Sequence, residues 1–267
     1  MKPPLKIGLA GLGAVGREVA KRLLAGIPGL RLTAVSARDH AKARQIVPDA
    51  SVKILDAKGL AETCDVIVEG LPPAEFRNFA LPAIEHGKIF VPLSVGKLLE
   101  NWDLVEKARE HGARILVPTG ALLGLDAVRA AAEGTIHSVK MVTRKPPEGL
   151  DGAAYLVERK ISVSNLKEPL KVFDGSAREG ARGFPANVNV AAALSLAGIG
   201  PDKTQLEIWA DPTVSRNTHR IEVDADTVRF SMTIENIPSE NPRTGKVVAL
   251  SVVAQLRGLV SELKVGT

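Results

Sequence analysis

The sequence predicts an α/β protein in two parts, a doubly wound parallel sheet in the N-terminal half and a second α+β domain, mostly antiparallel, after it. Two observations carry this. Up to Pro118, short apolar runs alternate with helical patterns, the rhythm of a parallel sheet with crossover helices on both faces. Beyond Pro118, longer strand patterns follow one another across short turns such as "DAD" (224–226), as antiparallel pairing requires. A length of 267 residues suits one large or two modest domains. The expected boundaries are 1–118 for the first domain, completed by a C-terminal helix over 240–267, and 119–239 for the second.

In order, "LKIGLA" (5–10) is the first strand, and "AVGREVAKRLLAG" follows as a helix with Val15, Val19 and Leu23 recurring every fourth residue. Further strands are expected at "LRLTAVS" (30–36), "DVIVEG" (65–70), "KIFVPL" (88–93) and "ARILVP" (113–118), with a weaker one at "SVKIL" (51–55). "PAEFRNFALPAIEHG" and "LLENWDLVEKAREHG" are helices between the later strands, and the crossovers should be right-handed. After Pro118 a helix over "ALLGLDAVRAAAEG" leads into the strands "IHSVKMVTRK", "TQLEIWAD", "THRIEV" and "TVRFSMTIENI". The helix "NVNVAAALSLAG" should cover one face of their sheet. The apolar tail "GKVVALSVVAQLRGLV" is a helix expected to pack on the first domain or at the junction.

Composition narrows the function. Hydrophobic residues make up 45% of the chain and charged ones 24%, values of a folded globular protein. The net charge of +5 is dispersed, so small anions are better partners than nucleic acid, and an aromatic content of 3% leaves few platforms for stacking bases. A lone cysteine, Cys64, rules out an internal disulfide and a Cys-rich metal site, and no metal is expected. The N-terminus has no cleavable leader pattern, and no stretch reaches the roughly 20 apolar residues of a membrane span. A cytoplasmic protein without membrane or nucleic-acid partners is expected.

The strongest motif is "LKIGLAGLGAVGREVAKRL", in which Gly11, Gly13 and Gly16 form G-x-G-x-x-G after a strand and at the opening of a helix. The first glycine permits the tight turn, the second lets backbone approach a pyrophosphate, and the third allows close packing of helix on strand. That context points to a Rossmann-type dinucleotide site for NAD or NADP. After the second strand, "AVSARD" places Ala37 where an acidic residue would receive the adenosine ribose, followed by Arg38. The missing carboxylate removes repulsion against a 2'-phosphate, and Arg38 offers it a partner. The alternative is that Arg38 stacks on adenine or lies in solvent, with Asp39 reaching the ribose.

In the second half, "VPTGALLGLDAV" presents backbone amides near Ala121 toward a nicotinamide, or is only a tight connection. "FPANVNVAAAL" starts a helix with Asn187 as its expected N-cap. Asn189, an indifferent helix former, then needs a reason of its own, such as recognition of the carboxamide or the substrate. "MVTRKPP" ends a strand with Arg144 and Lys145, a solvated basic pair or a carboxylate receptor. In "RNTHRIEV", His219 shares strand parity with Ile221 and Val223, either as a satisfied core histidine or as a titratable group on a dry face.

Together "GLAGLGAVG", "VPTGALLGLDAV", "VTRKPP", "FPANVNVAAALSLAG", "ADPTVSRNTHRIEV" and "NPRTGKVVALSV" resemble the L-aspartate dehydrogenase family, in order and over nearly the whole chain. The resemblance implies oxidative deamination of L-aspartate with NAD or NADP, and a homodimer formed through the second domain. It implies His219 at the family's active-site histidine, with cofactor contacts at Ala121 and an asparagine of "NVN". Ala37 departs from members that carry an acid there, which weakens strict NAD preference. The chemistry needs a base that takes the ammonium proton and later activates water, and histidine, with an ordinary pKa of about 6.5, suits both steps. His40, His86, His111 and His137 lack a comparable motif. The rivals are a Rossmann reductase of the dihydrodipicolinate reductase or homoserine dehydrogenase type, and a non-catalytic NAD(P) sensor, for which no output segment is evident. Whether the product feeds pyridine nucleotide biosynthesis or aspartate breakdown stays open.

Overall fold

The computed structural model describes residues 3–185, 188–237, 239 and 245–266. The chain forms two compact units, Met1–Pro118 with Ala249–Lys264, and Thr119–Val248 with Val265–Thr267.

The first unit carries strands β1 (Leu5–Ala10), β2 (Leu30–Ser36), β3 (Lys53–Ile54), β4 (Val66–Glu69), β5 (Ile89–Pro92) and β6 (Arg114–Ile115). Its crossover segments contain α1 (Ala14–Leu24), α2 (His40–Ile46), α3 (Ala57–Thr63), α4 (Phe76–Glu85), α5 (Val95–Glu100) and α6 (Asp103–Glu110). All strands pair in parallel in the order β3-β2-β1-β4-β5-β6, so the winding reverses between β1 and β4. Ile7, Leu9, Val66, Val68 and Val91 from the strands bury against Val19, Ala20 and Leu23 of α1, the helix face read from the sequence. Two edge strands are shorter than expected, β3 and β6 pairing over two residues each. The helix expected over 98–112 is two, because Asn101 ends α5 by donating its side-chain amide to the Lys97 carbonyl at 2.8 Å.

The second unit runs α7 (Leu125–Ala132), β7 (Ile136–Lys145), α8 (Ala154–Glu158), β8 (Leu170–Ser176), α9 (Ala177–Gly183), α10 (Asn189–Ala197), β9 (Gln205–Ala210), β10 (Asn217–Ala225) and β11 (Arg229–Asn236). Its sheet order is β11-β10-β7-β9-β8, antiparallel except for β7 with β9. The first helix starts at Leu125 rather than Ala121, since Gly124 before it adopts φ +67, a left-handed conformation. β10 alternates as its sequence requires: Asn217, His219, Ile221, Val223 and Ala225 are buried, Arg220 and Glu222 exposed. β8 and α9, joined at Ser176 by a capping box with Glu179, were not expected from the sequence.

The apolar tail forms α11 (Val247–Gly258), a shorter helix than the expected 240–267. It stops where Leu259 and Val260 turn back, their amides bonding to Leu256 and Arg257 carbonyls. Ala249, Val252, Val253 and Leu256 enter the core of the first unit beside Ile7, Leu23 and Leu30.

Candidate active site

At the carboxyl end of β1, Gly11 adopts φ +99 and its amide donates to the Ser36 carbonyl at 3.0 Å. A Cβ at Gly11 would lie 2.7 Å from the Gly70 carbonyl oxygen, and one at Gly16 would collide with the Gly11 carbonyl oxygen. Gly13, the N-cap of α1, is different: it is exposed, and a Cβ there would meet nothing within 4 Å. Two glycines thus allow the loop to close and the third leaves open the approach to a helix N-terminus with no acidic residue in its first turn. That donor set fits a dinucleotide pyrophosphate. After β2, Ala37 is half-buried and Arg38 exposed, while Asp39 caps α2 by accepting from the Lys42 amide at 2.9 Å. The Asp39 carboxylate, the alternative ribose partner, therefore has a local structural partner.

In the second unit, His219 is the buried member of five histidines, 3% exposed, whereas the other four lie at the surface. It stands opposite Thr143 in the β10–β7 register, and its Nδ1 lies 3.1 Å from Thr143 Oγ1. Lys145, two residues along the same face of β7, is also 3% exposed. Burial, and then the Lys145 charge, push the His219 pKa down from 6.5 to about 3. The imidazole is neutral at physiological pH, with a lone pair on one nitrogen. Nδ1–H donating to Thr143 would leave that lone pair on Nε2.

The other sequence-predicted residues divide. Arg144 points to the opposite sheet face, where it pairs with the buried Asp211 at 2.9 Å and lies 4.7 Å from the Trp209 ring centroid. It does not join His219. Ala121 is buried, and its carbonyl accepts from Asn236 Nδ2 at 2.9 Å; Asn236 is paired in register with Asn217, two residues from His219. Asn189 opens α10 and is half-buried, while Asn187 lies outside the described residues. Val188, Val190 and Ala191 line a void of about 10 Å³ with Thr143, so the start of α10 lies over the strand row that carries Thr143. A larger groove of about 400 Å³, with Tyr155, Arg159 and Arg182 on its walls, contains none of the predicted residues. Among the described residues no acidic, histidine and cysteine group could hold a metal, and no helix is long and apolar enough to cross a membrane.

Sequence reasoning missed Thr143, Asn217, Asn236, Glu69 and Ser94, all buried polar residues. For Thr143 a signal existed: it precedes Lys145 by two residues in an alternating strand and so shares its face.

A family model described as aspartate dehydrogenase, C-terminal, matches residues 126–259, and one described as homoserine dehydrogenase, NAD binding domain, matches residues 11–118. An L-aspartate dehydrogenase of Bradyrhizobium diazoefficiens is 56% identical over 98% of this chain and 94% of its own length. L-aspartate dehydrogenase 3 of Bordetella bronchiseptica is 53% identical over 98% of each. A crystal structure of aspartate dehydrogenase from Thermotoga maritima shares the fold, with a TM-score of 0.76 at 20% identity over 98% of this chain and 99% of that one.

Proposed function

We infer the reaction from the premise that the chain belongs to the L-aspartate dehydrogenase family: it is an NAD(P)-dependent dehydrogenase that deaminates L-aspartate reversibly to iminoaspartate, then oxaloacetate and ammonia. The homoserine dehydrogenase likeness is confined to the dinucleotide-binding half, where the same cradle serves many substrates. Bound NAD(P) supplies the hydride acceptor. The first unit, taken as 1–118 with the C-terminal helix, holds its pyrophosphate on Gly11, Gly13 and Gly16. With no acid at Ala37 and an exposed guanidinium at Arg38, NADP is accepted beside NAD.

His219 is the base. Its neutral imidazole takes the α-ammonium proton, freeing the amine lone pair, passes that proton on to solvent, and, neutral again, takes a proton from the water that attacks the imine carbon. The observation that supports this reading is a buried imidazole oriented by Thr143 next to the buried Lys145. Lys145 shares His219's face and is the better carboxylate receptor of the basic pair, since Arg144 is engaged by Asp211. A carboxylate beside Lys145 would offset the charge that lowers the His219 pKa, so substrate binding would raise the basicity of the base. Asn187, Asn189 and Ala121 are assigned to cofactor or substrate contacts on the family resemblance.

We further propose a homodimer in the cytoplasm. Cys64 suits a reducing compartment, being buried, free, and with a thiol that burial pushes up to about 11. Reduction of NAD and of NADP by L-aspartate, measured separately, tests the activity. Reduction of neither, despite tight binding of both, would favour the sensor.

A further inference from the structure

Glu69, the last residue of β4, carries a carboxyl with no exposed surface. Its Oε1 accepts from the Leu71 amide at 2.9 Å and from the Ser94 hydroxyl at 3.0 Å, and its Oε2 accepts from the Ser94 amide at 3.1 Å. Leu71 lies in the loop that leaves β4, and Ser94 is the N-cap position of α5 in the loop that leaves β5. One buried side chain therefore joins the loops at the carboxyl ends of two neighbouring strands. Gly70, between Glu69 and Leu71, donates its amide to the Ala10 carbonyl at 2.9 Å, which brings the same loop against the end of β1. Burial raises the Glu69 pKa, while the Leu71 and Ser94 donors oppose the rise. An apolar side chain here would take this acceptor from the Leu71 and Ser94 amides, so the carboxylate ties the two loops together through donors that need it.

In an open parallel sheet of this order, a dinucleotide lies outside the carboxyl ends of the strands, across the reversal between β1 and β4. The two halves of such a sheet each serve one mononucleotide. The glycine loop and β2 belong to the adenosine half, and the loops after β4 and β5 to the nicotinamide half.

We propose that Glu69 is a positioning residue for the nicotinamide half of the cofactor, its carboxylate setting the spacing of the loops after β4 and β5 on which that half rests. This rests on NAD(P) binding at the glycine loop and is independent of the role of His219. Glu69→Gln is the incisive change, because whichever way the amide turns, its NH2 faces a backbone N–H, of Leu71 or of Ser94, that now has no acceptor. Ser94→Ala removes the hydroxyl donor and leaves both backbone bonds, a milder version of the same disturbance.

The experiment is calorimetric titration of the wild-type chain and both variants with NAD(P)+ and with ADP-ribose, which lacks the nicotinamide. Glu69→Gln is expected to weaken NAD(P)+ about tenfold or more while ADP-ribose stays within about twofold, with Ser94→Ala shifting the same way by less. Parallel loss of both ligands, or no loss of either, overturns the proposal. If Glu69→Gln does not fold, Ser94→Ala decides between the same outcomes. Failure of the wild-type chain to bind ADP-ribose would instead refute the cofactor reading beneath it.

Discussion

The two units present their candidate sites in opposite materials. In the first, the cradle is backbone: Gly11 and Gly16, whose lack of side chains lets a loop close, and Gly13, which leaves open the approach to the helix N-terminus. In the second, it is side chain: His219, Thr143 and Lys145, brought to one dry face by pairing strands that lie 76 residues apart at the His219–Thr143 bond. A backbone site is spoiled by added side-chain atoms, through the loop at Gly11 and Gly16 or through the ligand's approach at Gly13, and its chemistry does not titrate. A buried side-chain site depends on charge, and burial decides which protonation state it holds.

The sharpest break between them is His219→Ala, which should lower kcat for L-aspartate by about 10²-fold or more while leaving NAD(P) affinity within about twofold. His219→Asn should act alike, since it lacks a basic nitrogen. Near-normal turnover in either variant would return His219 to the role of a core residue.

Acid should separate the units next. The unfolded imidazole titrates near 6.5 and the folded one near 3, so as pH falls the unfolded chain binds the proton first. The stability that His219 lends is complete above about 6.5 and is lost between there and about 3, at roughly 1.4 kcal/mol for each pH unit. Urea melts of the wild-type chain and His219→Asn across this range should show a smaller acid loss in the variant. Identical losses would mean that His219 is not buried neutral.

Within the glycine cradle, Gly16→Ala forces a Cβ on the Gly11 carbonyl and should cost roughly 1–3 kcal/mol of stability along with cofactor affinity. Gly13→Ala has open space and should spare stability, yet weaken NAD(P) by obstructing the pyrophosphate. Equal Tm losses in the two variants would contradict this division. Thr143→Val keeps the shape but removes the hydroxyl beside His219 Nδ1; kcat should fall about tenfold with KM little changed, and Thr143→Ser should restore it. The smallest effect is expected at the exposed Arg38, where solvent screens the charge: Arg38→Ala should weaken NADP about threefold relative to NAD. Ala37→Asp should swing preference further toward NAD, and a uniform effect on both cofactors would remove Arg38 from the 2'-phosphate.

How much of this was legible follows the same contrast. The glycine motif, β1, β2 and β7 were readable to the residue, because a strand of alternating or continuous apolar residues and a G-x-G-x-x-G are local patterns. The parity of β10 placed His219 among apolar neighbours correctly. What was not legible depends on partners distant in sequence. β6 was expected over 113–118 but pairs only at Arg114 and Ile115, since it is an edge strand with β5 as its single neighbour. β8 was missed, its "LKVFDGS" giving a weak alternation that becomes a strand by antiparallel pairing with β9. Arg144 and Lys145 were read as one basic pair, although adjacent strand residues point to opposite faces and only Lys145 shares His219's side. Nothing in the order of residues says that Thr143 will stand opposite His219; that requires the register.

The position of α11 in the core of the first unit has a consequence for how the protein is made. Ala249, Val252, Val253 and Leu256 fill a place among Ile7, Leu23 and Leu30 that β1 to β6 leave open, and Gly29 packs against Val260 as well. On the ribosome, the nucleotide-binding half therefore emerges first but cannot finish its interior until the second unit has been synthesised, a wait of roughly ten seconds or more at ordinary elongation rates. During that interval the unfinished apolar surface is open to chaperones and to misassociation. α11 thus acts as the latch of a unit whose six strands are translated before the second unit.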